Sequence, residues 1–406
     1  MVRWQKLHNH LNFYRIKWNL YAFMFYLYTV FSAISISGMT IILSLFLLIY
    51  AFNIKNKLDK TPKDFSVILV FYLWRAITLA FNNIYSKIIP KFFGGIWEFI
   101  CYPVVSSFSV SRTIVKNVLL IAIWINILVL IYGVFQEAFH FTIAYKTLFN
   151  GGRFTGFHSN PLRFAGYYSS VLIISLVFGL FVNRFYLLTS AILAFGLFLN
   201  GSRTYWISVF IVVIILYFIK SRKTTLYILF FTIFITSTTF ILFKGSLIPR
   251  STSIGKDLEL RMNFWKAGIE IFLSNPIVGV GYGEVGKYLQ PYFEKGLIDN
   301  TSHCHNTYIT VLAENGLLGL TFLLAFFTYF TWKYWQYYKT YNDIILKVLS
   351  ISLYGVFINL MIASLTEHII KNFVLWGFVS FLMGITEAYR RSITLPQADG
   401  PFPQGR

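Results

Sequence analysis

Apolar stretches long enough to cross a lipid bilayer follow one another along almost the whole chain. This recurrence limits the fold more than any other feature. Hydrocarbon offers no water to backbone N–H and C=O groups, so a spanning segment is a helix or part of a closed barrel. The runs are continuous rather than alternating, which selects helices. Composition agrees: 57% of residues are apolar, 12% are charged and the mean hydropathy is +0.64, whereas a soluble domain carries about twice that charged share. About twelve spans are expected, near 19–35, 38–53, 65–81, 92–109, 117–135, 164–182, 185–200, 204–219, 225–243, 306–330, 348–365 and 370–387. The fourth is interrupted by Gly94, Gly95 and Pro103. The first follows a basic stretch but lacks a small-residue cleavage site, so it reads as a retained span. The expected fold class is an all-α, polytopic membrane protein with a large external loop bearing amphipathic helices.

Lysine and arginine set the orientation. With the N-terminus in the cytoplasm, the inner loops carry Lys55, Lys57, Lys60 and Lys63, then Arg112 and Lys116, Arg184, Lys220, Arg222 and Lys223, Lys333, Lys339 and Lys347, and Arg390 with Arg391. Short outer loops carry far fewer. Both termini then lie inside, and the loops 136–163 and 244–305 lie outside. The chain divides into spans one to nine (1–243), the outer loop (244–305), spans ten to twelve (306–390) and a polar, Pro/Gly-rich cytoplasmic tail (391–406) read as lacking fixed structure. Much of the net charge of +20 is this topology signal and contact with anionic lipid. The basic residues are scattered over many loops, which argues against nucleic acid as a partner. Cys101 falls inside an expected span and Cys304 in the outer loop, so no disulfide framework is expected.

The outer loop holds Lys244, Arg250, Lys256, Arg261, Lys266, Lys287 and Lys295. Topology does not require bases there, so an anionic ligand is one reading; the other is that long loops translocate regardless of charge. Leu258, Met262, Trp265, Ile269 and Phe272 recur at spacings of four and three, which predicts a surface helix over 257–274 with one apolar stripe and Arg261 at its edge. Asn275-Pro276 ends it. The glycines of Gly279-Val-Gly281-Tyr-Gly283 permit tight turns whose amides can hold phosphate; a flexible connector is the commoner explanation of such a run. A second helix is expected over 285–295.

His305 opens the run HNTYITVLAENGLLG where this loop meets span ten. A histidine at a water interface titrates near neutral pH and suits a general base; its plain alternative is an interfacial or capping residue, and the nearby bases favour the base. Asn306 and His303 are candidates for orienting substrate, with Asn306 alternatively the N-cap of span ten. His303 and His305 on a helix would point about 200° apart, and no carboxylate group completes a metal site. The nearest acidic pair, Asp257 and Glu259, diverges on a helix, so arginine rather than a metal ion is expected to neutralise a leaving phosphate. Arg203, in the turn Asn200-Gly-Ser-Arg-Thr-Tyr-Trp206, and Arg153 and Arg163, in Arg153-Phe-Thr-Gly-Phe-His-Ser-Asn-Pro-Leu-Arg163, face outward with Arg261. Snorkelling explains any one of them; three outer turns bringing bases to one interface favour convergence on an anion. Arg75 lies within span three, where a charge is costly and faces protein or a cavity; Glu314 is its suggested partner. Glu367-His368 near the end of span eleven are further candidates.

RFTGFHSNP (153–161), GSRTYW (201–206), RMNFWKAGIEIFLSNPIVGVGYG (261–283) and HNTYITVLAENGLLG (305–319) resemble, in order and spacing, the O-antigen ligase and polymerase superfamily. The resemblance covers about 150–390. It implies a GT-C-type membrane glycosyltransferase of the bacterial inner membrane, working on the periplasmic face without a metal or other cofactor. Its donor would be a glycan on undecaprenyl pyrophosphate. It makes His305 the candidate base for an acceptor hydroxyl and Arg203 and Arg261 candidates for gripping the pyrophosphate, with Arg153 and Arg163 beside them. The expected activity is an O-antigen ligase with lipid A-core as acceptor. The alternative is a polymerase, whose acceptor is a second lipid-linked glycan. A transporter or flippase fits the span count but not the concentration of polar residues in the outer loops.

Overall fold

The computed structural model describes residues 20–139, 147–150, 152–158, 160–221 and 254–394. Expected span nine (225–243), the first residues of the outer loop, the N-terminal basic stretch and the tail beyond 394 lie outside them. The described chain is helical apart from one two-stranded hairpin, in which Phe149 pairs with Phe154 and Asn150 with Arg153. The helices are α1 (Leu20–Ile34), α2 (Ile36–Phe52), α3 (Phe65–Phe81), α4 (Ile88–Trp97), α5 (Cys101–Ser106), α6 (Arg112–Phe139), α7 (Pro161–Phe181), α8 (Phe185–Asn200), α9 (Arg203–Lys220), α10 (Ile254–Ser274), α11 (Val285–Glu294), α12 (Thr307–Thr340), α13 (Ile344–Ala363) and α14 (Phe373–Thr394).

Among the described residues, five helices are long and apolar enough to cross a membrane: α6, α7, α9, α12 and α13. Four shorter ones, α1, α2, α3 and α8, are also strongly apolar. The count of twelve spans is therefore not established, but a polytopic bundle is. The expected fourth span is divided: α4 stops at Trp97 and α5 starts at Cys101. α7 is the central helix, with sixteen of its residues from Phe164 to Gly179 buried; it packs on α8, α9, α13 and α14.

α10 departs from the expected pattern. The face that packs on α12 carries Phe264, Ala267 and Ile271, which join Val280, Val285, Leu289, Ile298, Cys304 and Ala313 in a small second core. Much of the expected stripe points elsewhere: Leu258, Met262 and Ile269 are exposed, while Trp265 packs against the second core. At about 100° per residue the two apolar faces are nearly opposite, with Glu259, Asn263, Lys266 and Glu270 on a polar third face. One periodic stripe was legible in the sequence because a 3.6-residue period does not say which of two apolar faces meets the protein.

α12 breaks at Gly316 (φ 66°, ψ −169°). The glycine loop fills the break and is packed against it rather than being a loose connector. Val280 N–H donates to the Ala313 carbonyl and Gly281 N–H to that of Glu314, both at 2.9 Å. The Trp74 indole donates to the Asn315 carbonyl at 2.9 Å, and Leu317 N–H returns to the Pro276 carbonyl at 2.9 Å. Backbone groups released by the kink thus find partners, as a low-water setting demands. Beneath it Arg75 pairs with Glu314 at 3.5 Å, both fully buried, with the Arg75 guanidinium over the Tyr282 ring at 3.5 Å. The suggested Arg75–Glu314 pair is present.

Candidate functional site

Three chain turns and α10 meet at one end of the bundle. α8 ends on Gly201 in the left-handed conformation (φ 68°) and α9 starts two residues later at Arg203. Glycine suits that turn because it carries no Cβ penalty at positive φ. Asn200 ties the turn to the hairpin: its Nδ2 donates to the Phe154 carbonyl (2.6 Å) and the Pro161 carbonyl (3.0 Å), while its own carbonyl accepts from Arg153 Nε at 2.8 Å. Asn160 caps α7, accepting from Leu162 and Arg163 N–H, with Pro161 at the first helical position.

The start of α12 is stitched to the turn between α13 and α14. Asn306 caps α12 through Ile309 N–H (3.0 Å) and donates to the Leu365 carbonyl (2.8 Å). Thr307 Oγ1 donates to the Glu367 carbonyl at 2.7 Å. Asn306 is thus placed as a helix cap, with its amide engaged on both sides. Cys304 is buried in the second core, so the residue between the two is forced into a tight turn: His305 adopts φ 48°. That conformation is uncommon for a side chain with a Cβ and marks stored strain. Here it turns the imidazole into a cleft of about 380 Å³.

The cleft is lined by Arg153, Arg203, Arg261 and His305, together with Asp257, Asp299 and Glu367. Four of the expected site residues therefore meet in one place. The carboxylates were not anticipated as their partners. Arg203 bonds to Asp257 at 2.5 Å and Arg261 to Glu367 at 2.9 Å. Three arginines face three carboxylates, so the cleft is charge-rich but formally balanced. Glu367 had been a candidate from sequence. Asp257 was weighed in the sequence only as half of an acidic pair with Glu259, and Asp299 gave no signal beyond being an acidic residue in a loop.

Burial holds the His305 imidazole down at about 3, with His303 and Arg261 adding to the effect. It is therefore neutral over the ordinary pH range and has a lone pair to offer. Its ring meets the edge of Phe264 (centroids 5.0 Å apart) and of His303 (4.6 Å). His303 in turn contacts His368 at 5.1 Å. Burial also keeps His303 below its usual range and His368 well below it. Burial raises the Glu367 carboxyl, and the guanidinium groups of Arg261 and Arg153 oppose this without cancelling it. Among the described residues no three His, Cys, Asp or Glu side chains gather into a possible metal site.

Arg163 and His303 do not line this cleft. They stand in a smaller pocket beside it, with His368 and Lys371. Lys371 carried no signal in the sequence, where it falls at the start of the expected twelfth span (370–387). Further along the loop, Glu284 is gripped by Lys87 (2.8 Å), Lys91 (2.6 Å) and Lys287 (2.7 Å). Its burial would raise it, but these ammonium groups bring it down to about 2.

No curated protein matches the chain. Residues 188–324 match the family model described as O-antigen ligase. The matched stretch contains Arg203, Arg261, the glycine loop, His305 and the kink of α12. The stretch that supplies Arg203, Arg261 and His305 to the cleft is therefore similar to the O-antigen ligase superfamily, whose activity is of the glycosyltransferase kind.

Proposed function

We propose that the cleft moves a glycan from undecaprenyl pyrophosphate to a sugar hydroxyl of lipid A-core, on the periplasmic face of the inner membrane, with inversion and without a metal. The observation that carries this reading is a neutral, half-buried His305 held by a strained backbone in a cleft with three arginines. The acceptor oxygen attacks the anomeric carbon and the carbon–oxygen bond to the pyrophosphate breaks. The acceptor proton passes to the His305 imidazole and from there to solvent. The leaving pyrophosphate keeps its lipid, and its growing charge is met by Arg203 and Arg261, supported by Arg153.

The paired carboxylates give this proposal a specific form. Binding an anion requires Arg203 and Arg261 to exchange Asp257 and Glu367 for phosphate oxygens, so no guanidinium is left unneutralised in the empty cleft. An arriving pyrophosphate also favours the imidazolium and so strengthens His305 as a base at the moment it is needed.

The test is an acceptor assay with the purified chain in detergent, lipid-linked glycan and lipid A-core. Transfer to lipid A-core, insensitive to EDTA, is the expected result. Elongated lipid-linked glycan as the only product identifies a polymerase instead, and no glycan transfer to either acceptor overturns the assignment.

A further inference from the structure

Leu162 and Glu367 separate the His305 cleft from a pocket of about 140 Å³, lined also by Arg163, His303, His368 and Lys371. Its charge differs from that of the main cleft. Among the described residues Arg203 and Arg261 each have a carboxylate partner, whereas neither Arg163 nor Lys371 has one within ion-pair distance. The one carboxylate on the wall, Glu367, is engaged by Arg261 from the other side. Two long helices also begin at this wall: α7, capped by Asn160, and α14, which follows Asn372. Their N-terminal ends contribute partial positive charge.

The remaining polar atoms point the same way. Both ring nitrogens of His368 and Nδ1 of His303 are sealed from solvent without a hydrogen-bond partner. Buried polar atoms without partners are uncommon and costly. A compact anion with several acceptor oxygens would neutralise the two cations and bring acceptors to these rings; a neutral sugar would leave both cations uncompensated.

Resting on the reading of the main cleft as a glycosyl-transfer site, we propose that this pocket is a second phosphate subsite, in which Arg163 and Lys371 hold a phosphate of a lipid-linked substrate next to His305. The phosphate belongs either to the donor diphosphate or to a phosphorylated acceptor, and the chemistry of recognition is the same for both.

Binding of polyprenyl diphosphate and polyprenyl monophosphate to the detergent-solubilised full chain tests this without turnover, so it stands even if His305 proves not to be the base. Arg163→Gln and Lys371→Gln, singly and together, are compared with the unaltered protein, with thermal unfolding as a check on folding. Loss of one charged contact is expected to weaken binding roughly tenfold. Weakening toward the polyprenyl lipids assigns the phosphate to the donor. Unchanged lipid binding with weakened binding of phosphorylated acceptor, and not of the dephosphorylated one, assigns it to the acceptor. Unchanged values in all of these overturn the proposal. Should the double variant not fold, the exposed Arg163 alone gives the same readings.

Discussion

At the scale of single residues, His305 is the side chain whose setting most differs from its sequence reading. Sequence gave reason to expect an interfacial imidazole near its ordinary range; the fold buries it and keeps it neutral down to about pH 3. The acidic limb of kcat/KM, which reports the free enzyme, should therefore fall well below pH 5. Bound pyrophosphate raises the imidazole toward its usual range, so the limb of kcat should lie at higher pH than that of kcat/KM. A kcat/KM limb near 6.5 that disappears in His305→Gln would contradict the buried, neutral base. His305→Ala should lower kcat by roughly a hundredfold to ten-thousandfold and leave donor binding nearly intact. Gly316 illustrates what was legible and what was not. Glycines at 316 and 319 are three apart in the sequence, a spacing that permits close packing, and a Cβ at 316 would stand 2.0 Å from the Ile277 carbonyl oxygen. Its positive φ, and so the kink, depends on a loop some forty residues earlier, which no local pattern records. Gly316→Ala combines the clash with an unfavourable φ and should cost about 2 kcal/mol or more, read as a fall in the thermal unfolding midpoint in detergent.

At the scale of elements, α10 and the α13–α14 turn are coupled through the charges they bring to the cleft. The arginines were legible because Arg153, Arg163 and Arg203 stand in short polar turns beside apolar runs and Arg261 at the edge of a periodic apolar stripe. Their carboxylate partners were not, since Arg203 meets Asp257 and Arg261 meets Glu367 only after separate elements pack together. The consequence is a competition between carboxylate and phosphate for the same guanidinium. Glu367→Gln removes one competitor and shifts the cleft by one positive charge. At contact range and the screening of a partly open site this corresponds to a gain in affinity for polyprenyl diphosphate of roughly tenfold. Binding measured without acceptor checks it. Weaker binding in Glu367→Gln would mean instead that the carboxylate's main work is to hold Arg261 in place. The same substitution leaves the Thr307–Glu367 backbone contact untouched, so the turn itself should persist.

At the scale of the whole molecule, the alternation of inner and outer loops read from lysine and arginine agrees with which loops meet. Arg153, Arg203, Arg261 and His305 come from four separate segments and share one cleft. At the other end, Lys333 pairs with Asp64 and with Glu387 (2.6 Å), and Arg391 donates to the carbonyls of Lys60 and Ser106. Lys333 lies 27 residues along α12 from its cap Asn306, so at 1.5 Å per residue the two polar ends stand roughly 40 Å apart, less whatever the kink takes up. That separation suits a bilayer. Hydropathy made this alternation legible; Gly94, Gly95 and Pro103 marked the fourth span as interrupted, but the break itself falls between Trp97 and Cys101, with the glycines inside α4 and the proline inside α5. The geometry alone does not name the face; the positive-inside reading predicts that the cleft is outside and the Lys333 cluster inside. Single cysteines test the choice cleanly, since native Cys101 and Cys304 are buried. Asp299→Cys sits on the cleft wall and Asn342→Cys in the turn between α12 and α13. In spheroplasts a membrane-impermeant maleimide should label the cysteine at 299 and reach the one at 342 only after lysis. The reverse pattern would invert the molecule and place the transfer on the cytoplasmic side, where a lipid-linked donor assembled inside would not need to be flipped before use.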